Sequence, residues 1–479
     1  MADAALRESG FIGRIVNKRR ARYIVFPASA QDVSRAIKFA TRERLTIAVK
    51  GGGNHASGAS SVEDGLVIDL GNLNGISVDR NKEEVTVGGG CRWGDVYSTL
   101  QKHGLVCIGG GVHIVGVGGH LTGGGWGPLT GKYGMGCDNI LYARVALADG
   151  QIVSASATEN QDLFWAIKGG SSQFGVVTDF VLRTYPEPGK FFYRIMTFQS
   201  ESLSVVLERF RAFLNREHRQ DGWLIGFIFF TRSPDKHRLV RCRSHRPIIV
   251  VLTKLQPLIV LNFTGVGEPD QHNDVWSSFR EAAIPSAKKR VGDLSIFDIS
   301  HSFDDTLLKG PPRVMNAGCV VTELWPGMGE ELWESFIHYT NSNSDVIHSM
   351  VALEFHATRR QSPELSCFPI HESIHHAVVI HGQHHNSESD QGAASWLNAS
   401  TSIIRRHQTQ NGGKDLGLAA NATSLPASPQ DIWGKNYDRL RCIKAKYDPN
   451  SVFNRFHSIE PLISSAKVQF QAERGGNNL

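Results

Sequence analysis

The sequence predicts an α+β protein of two domains, and three observations support this prediction. The chain has 479 residues, more than one simple hydrophobic core usually serves. Short strands and short helices alternate as far as Pro186, a pattern typical of an α+β domain. From 190 to 425, glycine becomes rarer and apolar strand-like runs alternate with amphipathic helices. We therefore expect the second domain to contain an antiparallel sheet with helices on one face.

The first domain is predicted to begin with a helix over 29–43, because Ser29 can cap it and Asp32 follows three positions later. Its expected buried face consists of Val33, Ala36, Ile37 and Ala40. Further helices are predicted over 93–103 and 162–168, and strands over 46–49, 66–70, 85–87, 141–148, 152–156 and 176–182. The Asp149-Gly150 pair predicts that the strands on either side of it form a hairpin.

In the second domain, strands are predicted over 226–230, 258–263, 317–324 and 377–381, and a helix over 203–214. Residues 236–257 do not fit the predicted pattern of strands and helices. Clustered Arg and His are followed there by an apolar run, although the predicted strand over 258–263 comes directly afterwards. This segment is either an insertion or an ordinary surface hairpin. Near the C-terminus, 436–461 are predicted to form a helix followed by an irregular strand.

Composition and charge narrow the function classes. The formal net charge of +5 comes without a long basic run, so we expect no nucleic-acid partner. The first twenty residues contain no apolar signal region, and the chain contains no apolar stretch long enough to cross a membrane. We therefore expect a cytoplasmic protein. The seven cysteines are scattered without a CxxC pair, which favours free thiols over a disulfide framework.

The most distinctive segment is 109–127, in which ten of nineteen residues are glycine. Apolar residues interrupt the glycines and serine is absent, so a flexible linker is not indicated. Main chain with so few side chains can lie directly against a large ligand, and its N–H groups can bind phosphates. A dinucleotide-binding GxGxxG motif is excluded because Leu121 stands where the third glycine would be. A P-loop is excluded because Tyr133 follows Gly131-Lys132.

Several motifs occur in one order along the chain: VKGGGNHASGASS (49–61), GLVIDL (65–70), VTVGGGCRWGDV (85–96), GVGGHLTGGGWGPLTGKYGMGCDNI (116–140), ALADG (146–150), DLFWAIKGGSSQFGVVTDF (162–180) and NYDRLRCIKAKYDPNSVF (436–453). Together they resemble the flavin-binding domain of the vanillyl-alcohol-oxidase and p-cresol-methylhydroxylase (PCMH-type) superfamily. Within it, they resemble the berberine-bridge-enzyme-like FAD-linked oxidases common in fungal secondary metabolism. The resemblance covers most of 23–187 and 430–461.

The resemblance implies a domain organisation and an FAD cofactor. The implied parts are an N-terminal segment (1–22), a two-subdomain PCMH-type FAD-binding domain (23–187), a substrate domain (188–429), a C-terminal element returning to the FAD-binding domain (430–461) and a disordered tail (462–479). The implied cofactor-binding residues are Lys50, Gly51, Gly52, Gly53, Asn54, His55, Gly116, Gly118, Gly119, His120, Gly123, Gly124, Gly125, Trp126, Gly127, Asp138, Asn139, Gly175, Val176 and Val177.

The resemblance leaves the mode of FAD attachment open. Family members commonly link the flavin to a histidine four residues after the basic residue of the first loop. Counting from Lys50, that position is Asn54, and His55 comes one later. Either His55 forms the link after a local shift, or FAD is bound without a covalent bond, or the site is defective. A second, cysteinyl link is not expected, because its position is Val112.

The resemblance also implies the chemistry. We expect an FAD-dependent oxidoreductase that removes hydride from a C–H bond of an alcohol, a sugar or a secondary metabolite to flavin N5. Its reduced flavin is expected to be reoxidised by O₂. Tyr437 and Glu354 are the candidate catalytic residues, and His356 is a further candidate base. The alternative from another class is a flavin-binding protein without turnover.

A third hypothesis comes from HESIH (371–375), which matches the zinc-peptidase pattern. The flanking residues favour a strand, on which the two histidines would lie about 13 Å apart, too far for one metal ion. We therefore predict no metal site. The histidines of this strand are interpreted as polar residues lining the substrate pocket or as solvated side chains.

Overall fold

The computed structural model describes residues 19–214, 222–234, 255–268, 273–280, 294–302, 310–356, 365–370 and 375–462. In chain order, the elements of the first region are β1 (Tyr23–Val25), α1 (Ala30–Arg42), β2 (Ile47–Lys50), β3 (Leu66–Asp69), β4 (Ile76–Asp79), β5 (Glu84–Gly88), α2 (Trp93–Gln101), β6 (Leu105–Val106), α3 (Val117–Thr122), α4 (Thr130–Tyr133), β7 (Ile140–Ala146), β8 (Ile152–Ser156), α5 (Gln161–Ile167), β9 (Val176–Arg183) and β10 (Tyr185–Pro186).

Two larger sheets organise this region, and β6 and β10 pair in a third, two-stranded sheet. One is parallel, with the order β1-β3-β2, and the other is antiparallel, with the order β4-β5-β9-β7-β8. The predicted cap of α1 is confirmed, because the Ser29 side chain accepts a hydrogen bond from the Asp32 N–H. The predicted β7–β8 hairpin is confirmed as well. Strands β1 and β4 were not predicted, since three or four residues are too few to show an alternation.

The second region contains β11 (Phe191–Gln199), α6 (Leu203–Leu214), β12 (Leu224–Pro234), β13 (Leu255–Val266), α7 (Asn273–Arg280), α8 (Ile296–Ser300), β14 (Arg313–Val321), α9 (Met328–Ser342), β15 (Met350–His356), β16 (His375–His384) and α10 (Asp390–Gln410). Its six strands form one antiparallel sheet with the order β11-β13-β12-β15-β16-β14. Helices α6, α7, α9 and α10 share a hydrophobic core with one face of this sheet. The predicted antiparallel sheet with helices on one face is therefore confirmed.

Strand alternation separates the two faces of the large sheet. Phe192 and Phe198 of β11 lie in the core with the helices. Their neighbours Phe191 and Tyr193 belong to the other core, which is centred on the first region. This other face of the sheet is therefore turned toward the first region, and the short helix α8 packs on the same side.

Strands β12 and β13 pair directly, from Leu224 opposite Gly265 to Pro234 opposite Leu255. Residues 255–257, which the insertion hypothesis includes, belong to this regular ladder, as the alternative of a surface hairpin expects. Residues 236–254 lie outside the described residues, so the hypothesis stays a prediction there.

The C-terminal segment contains α11 (Pro429–Trp433) and α12 (Tyr437–Tyr447). The predicted strand after α12 is wrong, because 448–462 contain no strand. Instead, the buried Asp448 carboxylate organises a turn, accepting hydrogen bonds from the Val452 and Phe453 N–H groups and from the Lys444 ammonium. The predicted tail from 463 onward lies outside the described residues.

Candidate functional site

The two glycine segments that were predicted to bind the cofactor lie against each other. A Cβ atom placed on Gly52 would clash with the backbone of Gly116, and one on Gly116 would clash with Gly52. The Asn54 side-chain amide donates to the carbonyl oxygens of Ile114, at 2.9 Å, and Gly52, at 3.2 Å. Loop 51–55 and the long glycine run therefore form two sides of one site.

We expect a Gly52→Ala substitution to destabilise this site, because neither backbone segment can yield without moving the other. The expected loss of stability is about 1–3 kcal/mol, together with loss of bound FAD. Thermal unfolding followed by circular dichroism and the FAD content after gel filtration measure the two effects. Gly392→Ala, in the first turn of α10 where a Cβ would meet no atom within 4 Å, is the matched control. A Gly52→Ala protein with control-like stability and FAD content contradicts the prediction.

Sequence reasoning missed one residue at the centre of this site. The carbonyl oxygen of Gly89 would lie 3.2 Å from a Cβ on Gly51 and 3.0 Å from one on Gly118. A Cβ on Gly89 itself would clash with the carbonyl oxygen of Val177, a residue of the predicted set. The turn after β5 thus joins three predicted cofactor segments. The available signal was the triplet Gly88-Gly89-Gly90 in the quoted VTVGGGCRWGDV motif.

The main chain of the site offers unpaired donors. Within the described part of the chain, the backbone N–H groups of residues 52–55 and 109–112 donate to no protein acceptor. A Cβ on Gly119 would meet no protein atom within 4 Å, so there is free space beside the run. Two runs of successive unpaired N–H groups suit an anionic group. The residues present therefore fit the diphosphate of FAD.

The later glycines of the run pack against protein groups. A Cβ on Gly123 would clash with Asn421, one on Gly124 would lie 2.5 Å from the Phe368 ring, and one on Gly127 would clash with the Gly109 carbonyl. Gly125 lies near the ring of His120. These contacts give the glycines a structural role, and their contact with the cofactor stays a prediction.

His120 is a structural residue in this site. Its Nε2 is 2.8 Å from the Trp126 carbonyl oxygen, and burial lowers the pKa of its imidazole to about 4. The ring is therefore neutral and donates its Nε2–H to this carbonyl. His120 therefore fixes the end of the run at Trp126.

Other predicted cofactor residues also have protein partners. Asn139 donates to the carbonyls of Tyr133 and Met135 and accepts from the Tyr185 hydroxyl, so both of its side-chain N–H groups are used within the protein. Burial raises the pKa of the neighbouring Asp138 carboxyl. Gly175 has a φ of +149°, and Val176 and Val177 pair with Ala146 and Val145 of β7.

Lys50 forms a buried ion pair at the start of the first loop. Its ammonium lies 2.8 Å from the Asp69 carboxylate, and the two side chains are 8% and 6% exposed. Asp69 also accepts the Gly71 N–H. The Lys50 charge is thus compensated within the protein, and this pair fixes the ends of β2 and β3 from which loop 51–55 departs.

We expect Lys50→Ala to destabilise the fold by about 3–5 kcal/mol, because it leaves the Asp69 carboxylate buried and unpaired. Lys82→Ala is the control: Lys82 pairs with Asp79 at 3.5 Å with side chains 69% and 45% exposed, so its loss changes stability by less than about 0.5 kcal/mol. Denaturant unfolding compares the variants. Equal unfolding midpoints for both would show that the Lys50–Asp69 pair is not a stabilising contact.

His55 is held by two hydrogen-bonding groups. Its Nε2 lies 3.0 Å from the Ala420 carbonyl oxygen, and its Nδ1 accepts the Ser57 N–H at 3.2 Å and lies 2.7 Å from the Ser57 hydroxyl. Burial lowers the pKa of its imidazole, so the ring is neutral near pH 7. The ring packs edge-on against Phe456 at 5.1 Å. Both ring nitrogens are therefore engaged with protein groups.

The C-terminal segment covers this loop. Arg455 donates to the carbonyls of Gly58 and Ser61, and Asn421 donates to the His120 carbonyl. The Gln173 side chain donates to the carbonyls of Arg455 and Phe456. Residues from the end of the chain thus hold the first loop and the glycine run in place.

Glu354 lies on the face of the large sheet that is turned toward the first region. The register places it in a row of six residues, one from each strand. From β11 to β14 in sheet order, the row consists of Ile195, Asn262, Phe227, Glu354, Ala377 and Val320. His356, two residues along β15, is buried, and its Nε2 is 3.5 Å from the Glu354 carboxylate. The next strand places His375 opposite His356, with its ring 6.0 Å from Trp126.

Tyr437, the other catalytic candidate, lies in different surroundings. It begins α12, is buried, stacks on Trp433 with ring centroids 6.4 Å apart, and has the Arg441 guanidinium 5.8 Å from its ring. Among the described residues, no hydrogen bond joins Tyr437 to Glu354. The structure therefore does not bring the two candidates together as one acid–base pair.

Most of the HESIH segment, 371–374, lies outside the described residues, and only His375 is placed, at the start of β16. Within the described ranges, no three His, Cys, Asp or Glu residues are grouped closely enough to hold a metal ion. Among the helices that the structure describes, none combines the length and apolar character needed to cross a membrane.

Comparison with known proteins places these features in a family. Residues 21–156 match the FAD binding domain family, and residues 420–460 match the berberine and berberine-like family. The chain therefore contains an FAD-binding domain and a C-terminal berberine-like element, and it is similar to the berberine-bridge-enzyme-like FAD-linked oxidoreductases. Its cofactor is FAD.

Relatives of this berberine-bridge-like protein come from fungi, and similar structures come from several kingdoms. It is 27% identical to the FAD-linked oxidoreductase pgmH of Aspergillus terreus, covering 93% of this chain and 89% of the relative. It is 26% identical to a xylooligosaccharide oxidase of Thermothelomyces thermophilus, covering 91% and 87%. The fold is similar to that of 6-hydroxy-D-nicotine oxidase of Arthrobacter nicotinovorans (TM-score 0.73, 24% identity, 95% and 96% covered). It is also similar to BBE-like 1 of Physcomitrella patens (TM-score 0.73, 21% identity, 97% and 99% covered).

Proposed function

We propose that this FAD-linked oxidoreductase removes hydride from a C–H bond of a small organic substrate and transfers the electrons to O₂. FAD, when bound, supplies the hydride acceptor at its N5 atom. The observation that carries the proposal is the direct contact of Gly52 with Gly116, because it joins two segments with unpaired N–H groups into one anion-binding site.

We assign cofactor binding to the glycine segments of the first region and substrate binding to the large sheet of the second region. The N–H groups of 52–55 and 109–112 bind the diphosphate and fix the position of the cofactor. The face of the large sheet that is turned toward the first region then holds the substrate against it. Glu354 is 31% exposed on that face, so its carboxylate can take the proton that a substrate hydroxyl loses as the neighbouring C–H bond breaks. Tyr437 is the second candidate for this proton transfer.

We further propose that FAD is bound without a covalent bond. Asn54 occupies the position of the family histidine, and its amide is used in joining the two glycine segments. His55 would have to give up its contact with Ser57 or with Ala420 before either ring nitrogen could bond to the flavin. Within the glycine run, 109–127, the sequence contains no cysteine.

Anaerobic reduction followed by exposure to air tests the proposed reaction. The FAD-loaded protein is mixed without oxygen with each member of a panel of benzylic alcohols, phenols and short oligosaccharides. We expect one class to bleach the flavin absorbance, and admission of air to restore it with formation of hydrogen peroxide. A flavin that is bleached but recovers only with an added electron acceptor would make the protein a dehydrogenase.

The second candidate function is flavin binding without turnover, which the loss of the family histidine at Asn54 favours. A histidine link withdraws electron density from the flavin, so its absence lowers oxidising strength without preventing binding. A yellow protein whose flavin is reduced by dithionite but by no member of the panel supports this alternative. Reduction by any panel member excludes it.

A further inference from the structure

The last residues of the C-terminal element lie against the first of the predicted cofactor segments. We call residues 454–459 the C-terminal strap. Its Arg455 guanidinium donates to the Ser61 carbonyl oxygen at 2.8 Å. Its Phe456 ring packs edge-on against the His55 ring, with centroids 5.1 Å apart. The strap therefore contacts the first loop and the residues directly after it.

One buried side chain ties the strap to a second predicted cofactor segment. Gln173 is fully buried and lies two residues before Gly175. Its amide nitrogen donates to the carbonyl oxygens of Arg455, at 3.0 Å, and Phe456, at 3.2 Å, and its amide oxygen accepts the Ile459 N–H at 3.3 Å. Three hydrogen bonds from one side chain thus fix the strap to the segment that begins at Gly175.

The strap is anchored at the point where it begins. The Lys444 ammonium, whose side chain is fully buried, donates to the carbonyl oxygen of Phe453, the residue directly before the strap. The same ammonium donates to the Gln173 carbonyl oxygen and forms an ion pair with Asp448 at 2.7 Å. One buried cation thus joins the start of the strap to the residue whose side chain binds it.

The strap has a strained backbone where it touches the first loop. Phe456 and His457 have φ angles of +52° and +53°. Non-glycine residues adopt this left-handed conformation rarely and at a cost in free energy, because their Cβ atoms crowd the backbone. Such strain persists only where the surrounding structure enforces it, and it is concentrated at ligand clamps and switch regions. Here the hydrogen bonds from Gln173 and the contact with His55 enforce it.

The first loop is contacted by both ends of the C-terminal element. The His55 ring meets the Ala420 carbonyl oxygen through Nε2, at 3.0 Å, and it also meets the Phe456 ring. Successive N–H groups bind a diphosphate only while they keep one direction, so a loop held in this way is pre-organised for the cofactor. Detachment of the strap would free the loop to turn its N–H groups away.

We propose that the C-terminal strap is a clamp that retains non-covalent FAD. Arg455 and Phe456 hold the first loop against the cofactor, and Gln173 is the positioning residue that keeps the strap closed. FAD leaves when the strap detaches from the loop, so the opening of the strap sets the rate of FAD release. This inference rests on the proposed binding of FAD by residues 52–55 and extends it to how the cofactor is kept.

The rate of FAD release tests the clamp. The FAD-loaded protein is mixed with an excess of a flavin-free FAD enzyme, which traps the released FAD and gains activity. Gln173→Glu keeps the size of the side chain and the acceptor for Ile459, but it removes the donor to Arg455 and Phe456. We expect it to release FAD about tenfold faster, the factor that the net loss of one or two hydrogen bonds produces.

Arg455 variants test the other contact of the strap. Arg455→Gln removes the hydrogen bonds to Gly58 and Ser61 and is expected to release FAD several-fold faster. Arg455→Lys keeps a cationic donor, so its rate should lie between those of Arg455→Gln and the unmodified protein. Release within twofold of the unmodified rate in both Gln173→Glu and Arg455→Gln overturns the inference.

A matched control separates the clamp from a general loss of stability. Arg211→Gln removes a guanidinium that likewise donates to two carbonyl oxygens, those of Leu324 and Trp325, but lies in the second region. We expect its FAD release to be unchanged. If Arg211→Gln accelerates release as much as Arg455→Gln, release follows the stability of the whole protein and the inference is overturned.

Hydrogen exchange gives a measurement that a purely structural strap would not affect. A clamp and its ligand stabilise each other by the same free energy, so FAD must slow amide exchange in the strap. Mass spectrometry compares the peptide 454–462 in the FAD-loaded and FAD-free protein, with a peptide of α10 as the reference. Slower exchange of 454–462 with FAD supports the clamp, and equal exchange in both forms overturns it.

The FAD content distinguishes failure of the clamp from failure of the proposed function. A folded, unmodified protein that binds no FAD contradicts the proposed function and the clamp with it. A protein that binds FAD and is reduced by a substrate, but releases FAD equally fast from all variants, contradicts only the clamp. FAD that stays with the denatured, unmodified chain also contradicts the clamp, because a covalent bond then retains the cofactor. If Gln173→Glu does not fold, Arg455→Gln decides the inference alone.

Discussion

Acid denaturation of the FAD-loaded protein is expected to release all of its flavin into the supernatant and leave a colourless pellet. The reason is that His55, the one histidine of the first loop, uses Nε2 toward Ala420 and Nδ1 toward Ser57. A neutral imidazole has one donor and one acceptor nitrogen, so neither remains available for a bond to the flavin. Precipitation, centrifugation and flavin fluorescence of both fractions measure the outcome.

Two variants sharpen this experiment. Asn54→His restores a histidine four residues after Lys50, and we expect part of the flavin to stay with the denatured chain as a fluorescent band in a denaturing gel. His55→Gln is the matched variant and is expected to release its flavin as the unmodified protein does. Flavin in the pellet of the unmodified protein that disappears in His55→Gln would demonstrate a covalent link through His55 and refute non-covalent binding.

Glu354→Gln is expected to lower kcat by about 10²- to 10⁴-fold, the usual contribution of a positioned general base. Glutamine keeps the size of the side chain but cannot accept the substrate proton. Because Glu354 lies on the sheet face rather than among the glycine segments, FAD content should not change. The rate of anaerobic flavin reduction, measured with the panel substrate that reduces the unmodified protein fastest, gives the effect directly.

Controls distinguish a catalytic role from a structural one. The control is Glu334→Gln. Glu334 is exposed on α9, which covers the face of the sheet opposite to Glu354, so its replacement should leave kcat and KM unchanged. Tyr437→Phe removes the phenol while keeping the ring that stacks on Trp433. If Tyr437→Phe lowers kcat by the larger factor, the base is Tyr437. If neither substitution lowers kcat tenfold, the proposed proton transfer is refuted.

Local sequence patterns predicted the elements that depend on neighbouring residues. The helix over 203–214 was predicted with the bounds that the structure has, and the capping of α1 by Ser29 followed from the residue three positions later. The hairpin of β7 and β8 followed from Asp149-Gly150. The strand predicted over 317–324 begins earlier in the structure, where β14 is Arg313–Val321. Polar residues such as Arg313 and Asn316 lie at its start, so the apolar pattern is weak there.

The cofactor and the meeting of its two glycine segments were also accessible from the sequence. The order of several motifs identified FAD, and the glycines of loop 51–53 and of the long run marked where bare backbone is needed. Gly52 and Gly116 require each other's lack of a side chain, so both had to appear as glycine in the sequence. Such a requirement is visible without knowing which segment is the partner.

What only the tertiary structure decided is the identity of the partners. His55 is bonded to Ala420, 365 residues away, and Gly124 accommodates Phe368, so the surroundings of the cofactor site include residues that local patterns cannot connect. The sequence by itself determined the fold class and the need for close backbone contact, because these depend on residue type and periodicity, whereas the cofactor followed from the resemblance of its ordered motifs to a known family. Long-range pairing depends on how whole sheets and segments pack, and no short window of sequence contains that information.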